Sequence, residues 1–300
     1  MTQPDLASAF QLASGVPATM RVGTVTAINP LKVSLAGAAI TNVGILSPYV
    51  PNVGDTVALI GQPPQDGPDP ATWLAIGRIV RDVSAPQVQA FTTAGSYTWT
   101  KPQYSAYHQH RIVGGGGGGG SVSSAGAGVS SSAGGGGGGG YGERWWSSYD
   151  LPDQVTGTVG AGGAGAAAGG STGSSGSTTD FNGSTATGGG GGQSFVAGSS
   201  TQVNNGGGGG SGSGNNLTIQ GDDGLPGSRN AGFYMALGMG GASHLSGLQD
   251  IQGSDGGNVG IDGKTWGGGG SGAYIRENNG SSYAGGDGAR GVVLVTTFFS

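Results

Sequence analysis

Five uninterrupted runs of glycine, at 114–120, 134–140, 188–192, 206–210 and 267–270, constrain what this chain can fold into more than any other feature. Lacking Cβ atoms, they bring nothing to a hydrophobic core, and glycine loses more backbone entropy on ordering than any other residue. A flexible linker is therefore their default state. Several features point to order instead. Sixty-four of the 72 glycines fall after residue 90, in a stretch of 210 residues that is far too long for a connection. Aromatic and branched residues separate the runs, as in Tyr141-Gly-Glu-Arg-Trp-Trp146, Leu217-Thr-Ile219, Phe233-Tyr-Met235 and Tyr274-Ile275. Strand patterns bracket the region: 91–100, which alternates like a hairpin, then 107–113, and finally the apolar 291–299, which a solvated tail has no reason to carry.

Glycine runs can order by packing extended three-residue-per-turn segments side by side, so that peptide groups bond between neighbours. Seven residues at about 3.1 Å each then span roughly 22 Å. Collagen is excluded, because there is no continuous Gly-X-Y period and few prolines fall in this part. Ordering costs about 1–2 kcal/mol per residue, so nearly every interior N–H and C=O must find a partner.

The first ninety residues read differently. Residues 1–20 form an arm or short helix, with Leu6, Phe10 and Ala13 at helical spacing. Five β-patterned segments follow, at 21–28, 32–35, 40–46, 55–60 and 73–79. A loop at 62–70 with four prolines interrupts them and excludes helix or central strand there. Five short strands predict an OB-like barrel over 21–85, and the glycine-rich domain occupies 86–300. The expected class is mainly β, a small barrel followed by packed glycine segments closed by a small sheet.

Charge and motif content exclude several functions. Net charge is −5 and neither half carries a basic patch, which argues against nucleic-acid binding. With no cysteine, disulfides and thiolate metal sites are excluded. The opening Met1-Thr2-Gln3-Pro4-Asp5 has neither the basic nor the apolar segment of a secretory leader. The longest apolar run, 291–299, is too short to span a bilayer. Matches to G-x-G-x-x-G are unavoidable in such runs and lack a βαβ setting. His108 and His110 share a strand face but have no third ligand nearby, so structural roles are favoured over a metal. Asp255, Asp262 and Asp287 sit in Gly/Asp-rich turns without the periodicity of a calcium repeat. No serine is read as the nucleophile of a triad with His and Asp. The reading is a non-enzyme with no cofactor and no metal.

Binding candidates are the aromatic interruptions. Tyr141, Arg144, Trp145, Trp146 and Tyr149 cluster within nine residues and could stack on sugar rings, or equally pack against the glycine core. Residues 222–252, containing Phe233, Tyr234 and His244, have the character of a surface loop.

Two sets of motifs resemble known families. Gly23-Thr-Val, Pro51-Asn-Val-Gly-Asp-Thr-Val57 and Trp73-Leu-Ala-Ile-Gly77 resemble the OB domains of phage tail and baseplate spike proteins. Phe91 through Gly95-Ser-Tyr-Thr-Trp-Thr-Lys-Pro102, Arg111-Ile-Val-Gly-Gly-Gly, 151–163 and Gly286-Asp-Gly-Ala-Arg-Gly-Val-Val-Leu-Val295 resemble the C-terminal glycine-rich domain of phage minor tail proteins and adhesin-like tail tips. The resemblance implies a virion protein at the tail tip, with polyglycine II helices as a rigid core. It implies attachment to other tail proteins through the first domain and a homo-oligomer, with a trimer favoured. Loops at one end of the core would meet a host-surface glycan or receptor. The competing expectation is a purely structural tail-tip hub that never meets the host.

Overall fold

A computed structural model describes residues 19–41, 43–45, 50–62, 72–79, 85–124, 130–195, 203–230, 236–247, 249, 256–276 and 280–299. The helix expected near 5–14, the proline-rich loop, and Phe233 and Tyr234 lie outside the described residues. The chain divides into two compact units, Met1–Val83 and Ser84–Ser300, and the described residues of both are mainly β.

The first unit holds β1 (Thr19–Ile28), β2 (Leu31–Leu35), β3 (Ala38–Thr41), β4 (Gly44–Ile45), β5 (Thr56–Gln62) and β6 (Thr72–Arg78). They form one sheet in the order β3-β2-β1-β5-β6-β4. Ala36 and Gly37, both at positive φ, make the tight β2–β3 turn. The single strand expected at 40–46 is instead two, on opposite edges of the sheet. Only three Cα steps of about 3.8 Å separate Thr41 from Gly44, so the sheet must curl until its edges approach. The result is a half-barrel around Val25, Leu31, Val33, Val43, Val57, Leu59 and Ala75.

The second unit opens with β7 (Gln87–Phe91), β8 (Gly95–Thr100) and β9 (Ser105–Val113), then β10 (Ser130–Ser132), β11 (Tyr141–Ser147) and β12 (Gln154–Val159). Short strands follow: β13 (Thr179–Phe181), β14 (Ser184–Ala186), β15 (Val203–Asn204), β16 (Gly212–Ser213), β17 (Leu217–Ile219), β18 (Gly227–Asn230), β19 (Gly257–Asn258) and β20 (Tyr274–Ile275). The last is β21 (Val292–Phe299). At the pole where the chain enters, one sheet runs β17-β11-β9-β21-β7. Here the bracketing strands meet, β9 pairing antiparallel with β21 along its length. The hairpin expected at 91–100 does not form. β7 pairs with β21 while β8 pairs with β12, so the chain turns a corner between two layers. Trp99, Ile112, Trp146, Val155, Val159, Phe181, Val293 and Val295 fill the space between them.

Between this pole and a second, smaller sheet in the order β15-β18-β10-β20-β19 lies the glycine core. Residues 114–120 and 134–140 are buried throughout. Successive N–H groups of the first run donate to three different neighbours in rotation. Gly114 donates to Gly140 O, Gly115 to Ser177 O and Gly116 to Ala289 O; Gly117, Gly118 and Gly119 then return to the same three segments at Gly137, Ser174 and Gly286, all at 2.8–3.0 Å. Its carbonyls accept from three further segments on the same cycle, Gly116 from Gly163, Gly117 from Gly270 and Gly118 from Gly192. The second run donates to the segments of Gln193, Leu225 and Gly270 and accepts from those of Gly117, Gly207 and Gly241. Each run thus has six neighbours, and its interior peptide groups are bonded outward on all sides. A Cβ on any glycine of 114–120 would lie within 3.0 Å of a neighbouring carbonyl, which no side chain tolerates.

The outer segments obey a looser rule. In Gly173/Gly176, Gly221/Gly224 and Gly285/Gly288 every third residue faces a central run and a Cβ there would strike its backbone. Between them Ser174, Ser175, Asp222, Asp223 and Asp287 carry side chains, whereas a Cβ on Gly286 would strike the backbone of Ile261. For this reason the described residues of 222–252 are not one surface loop: Gly224 and the adjoining Gly221 sit against 134–140, and Gly238 and Gly241 occupy a neighbouring row. At the far pole Val122, Ala133, Phe195, Ala273 and Ile275 close the core, with Tyr283 against them.

Candidate binding surface

Strand alternation sorts the expected site residues onto two faces of the entry-pole sheet. On the inner face, Trp146 is buried and its indole Nε1–H donates to His110 Nδ1 at 2.8 Å. That bond makes Nδ1 an acceptor, so the neutral ring presents Nε2–H to Asn215 Oδ1 at 3.1 Å. Gly142 provides the room for Asn215, whose amide a Cβ there would strike. His108 lies between Thr297 Oγ1 at 3.1 Å and Ser148 Oγ at 3.0 Å. Burial lowers both imidazoles to about 4, with Lys101 adding to the effect at His108. Burial thus keeps both histidines neutral in the core. Arg144 stacks its guanidinium 3.9 Å from the centre of the Trp146 ring and donates to Gly214 O.

The outer face carries a different set. Cross-strand register places Gln109 between Trp145 and Thr296, Arg111 between Glu143 and Leu294, and Tyr107 beside Phe298. Trp145 leans across β9 to stack on Phe298, with ring centroids 5.3 Å apart and planes within 28°. The exposed Tyr107 and Trp145 border a polar floor of Gln109, Arg111 and Glu143. Glu143 accepts from Tyr141 Oη at 2.8 Å and from Gln109 Nε2 at 2.9 Å. Burial raises the Glu143 pKa, but hydrogen bonds from Tyr141 and Gln109, the charge of Arg111 and the Trp145 indole outweigh it and hold the carboxyl below its ordinary value. The Arg111 Nε is buried and has no hydrogen-bond partner among the described residues.

Tyr141 is buried at the upper edge of this face, packed with Val113 and Val292 and 4.5 Å from the exposed His244 ring. Leu245 and Trp266 cover the sheet beside it. Tyr149, 78% exposed, stands apart in the turn after β11. The nine-residue aromatic cluster therefore divides: Trp146 and Arg144 inward, Tyr141 covered, Trp145 open, Tyr149 solvated. Tyr107, Gln109, Arg111 and Phe298, which complete the open face with Glu143, escape a search for aromatic interruptions because they lie on the bracketing strands. The period of two along 107–113 was the signal that could have found three of them. Among the described residues no group of three or more His, Asp or Glu is arranged to hold a metal ion.

Comparison with known proteins bears on the second unit. The sequence model of a family described as a glycine-rich domain matches residues 92–297. No curated protein matches the chain.

Proposed function

The chain belongs to this glycine-rich domain family, and from that premise we propose that it is a phage tail-tip protein, a non-enzymatic virion component that displays its glycine-rich unit for host recognition. The half-barrel takes the part of an OB-like attachment domain that joins other tail proteins, in a homo-oligomer for which a trimer is favoured. The glycine core takes the part of a bundle of polyglycine II helices.

One observation carries the reading. The runs 114–120 and 134–140 each bond to six neighbours on a three-residue cycle, which is the pattern expected of side-by-side helices with three residues per turn. Such a core is stiff, and it forces the chain connections to its two poles. A rigid post with variable connections at its ends suits the display of a binding surface, and weak single sites would gain by avidity on a particle with several copies.

Virions carrying the chain truncated after residue 83 test the proposal. Tails that assemble yet fail to adsorb to host cells are the expected result, and normal adsorption overturns it. A second reading, a structural hub without host contact, expects Trp145 and Trp146 to be buried; Trp146 is, whereas Trp145 is 49% exposed. Failure of tail assembly on truncation would favour that hub.

A further inference from the structure

We propose that the outer face of the β17-β11-β9-β21-β7 sheet is a saccharide-binding site for neutral pyranose rings, with Trp145 as the stacking platform and Gln109, Arg111 and Glu143 as the hydrogen-bonding set. The inference rests on the host-recognition reading and assigns it a place and a ligand class.

The platform is preorganised. Phe298 backs one face of the Trp145 indole and the Glu143 carboxylate holds its edge, yet the side chain remains 49% exposed. An aromatic face offered flat to solvent suits the apolar C–H face of a sugar ring. Around it stand three planar polar groups with unused capacity. Gln109 donates through Nε2, and its carbonyl oxygen is left for a hydroxyl. The Glu143 carboxylate accepts from Tyr141, Gln109 and the Trp145 indole, and of its roughly four lone-pair sites one is left. Arg111 has no ion-pair or hydrogen-bond partner among the described residues, and its buried Nε lacks the bond it needs. Hydroxyls, each both donor and acceptor, answer all three. Arg111 and Glu143 are direct cross-strand neighbours, so the floor carries no net charge and favours neither polyanion nor polycation. A protein partner would have to desolvate both charges at the centre of its interface.

The test titrates the full chain with neutral oligosaccharides of glucose, mannose, galactose and N-acetylglucosamine, by calorimetry and tryptophan fluorescence. At least one is expected to bind saturably, with Trp145→Ala weakening it by about tenfold or more and about 0.5 M salt changing it little. Tyr107→Ala, at a side chain 58% exposed, provides a second variant expected to fold normally and to bind more weakly. No binding by any sugar, equal binding by Trp145→Ala, or a change of oligomeric state in that variant overturns the site. The host-recognition reading survives that failure if virions with Trp145→Ala still adsorb. Sugar binding that Trp145→Ala abolishes, with normal adsorption by truncated virions, leaves the site standing and removes the recognition reading instead.

Discussion

Two adjacent glycines, Gly207 and Gly208, separate a packed lattice from a merely glycine-rich chain. Both lie inside the run 206–210 and look equivalent in sequence. A Cβ on Gly207 would collide with the carbonyl of Gly190, whereas a Cβ on Gly208 meets only Asp223 Oδ1 at 3.9 Å. Gly207→Ala therefore requires the 188–192 segment to retreat by about 1 Å or more, which is overpacking against backbone. The Gly190 carbonyl cannot withdraw without straining the bond it accepts from Gly137 N, nor the Gly190 N–H without straining its bond to Gly208 O, at 2.8 and 2.7 Å. Overpacking at about 1–3 kcal/mol and two weakened hydrogen bonds at about 1 kcal/mol each sum to roughly 3–5 kcal/mol. For a unit of this size that lowers the unfolding midpoint by about 6–15 °C. Gly208→Ala meets no clash and narrows the unfolded ensemble, so it is neutral or stabilising by up to about 1 kcal/mol. Calorimetric scans of the two variants and the parent decide the matter. Equal midpoints for the two variants would refute the packing argument, whatever their common value.

Acidification provides a second test. His108 and His110 titrate near 4 when folded against an ordinary 6.5. Between those values the unfolded chain binds more protons, so their contribution is complete above about pH 6.5 and is lost as the pH falls towards 4. At about 1.4 kcal/mol per pKa unit the loss approaches 3 kcal/mol for each ring, and an unfolding midpoint that holds steady from pH 7 to pH 4 would contradict it. Lys101 offers a third test: its ammonium donates to Ser148 O and Leu151 O and pairs with Asp153, which is almost fully exposed. Lys101→Met should destabilise by about 1–3 kcal/mol by abandoning two carbonyls, while Asp153→Asn should change stability by less than about 0.5 kcal/mol. Denaturant titration of both variants checks the order, and a larger effect at Asp153 would show that the ion pair matters more than the carbonyls.

How much of this was legible beforehand depended on how local each signal was. The runs at 114–120 and 134–140 announce themselves because a central segment can tolerate no Cβ at any position. The pairing of 105–113 with 292–299 was visible as two apolar strands bracketing the region. The outer lattice rows were not visible. A peripheral segment needs glycine only where a neighbouring backbone crowds it, so Gly221-Asp-Asp-Gly224 resembles a turn, and 222–252 resembles a loop. The binding face was half legible. Trp145 and Trp146 stand side by side in sequence, but only pairing with β9 decides that Trp146 meets His110 and Trp145 faces outward. Phe298, which backs the Trp145 indole, is more than 150 residues away and reaches it through register alone.

The central claim is that 114–120 and 134–140 are the hydrogen-bonded interior of a folded unit. Amide hydrogen exchange of the full chain measures it directly, because every one of these N–H groups has a carbonyl partner in a neighbouring segment. The account predicts that both runs exchange only through global unfolding of the second unit, as slowly as the amides of β9 and β21. Exchange of the runs on the timescale of a free glycine peptide, while β9 and β21 stay protected, would contradict it.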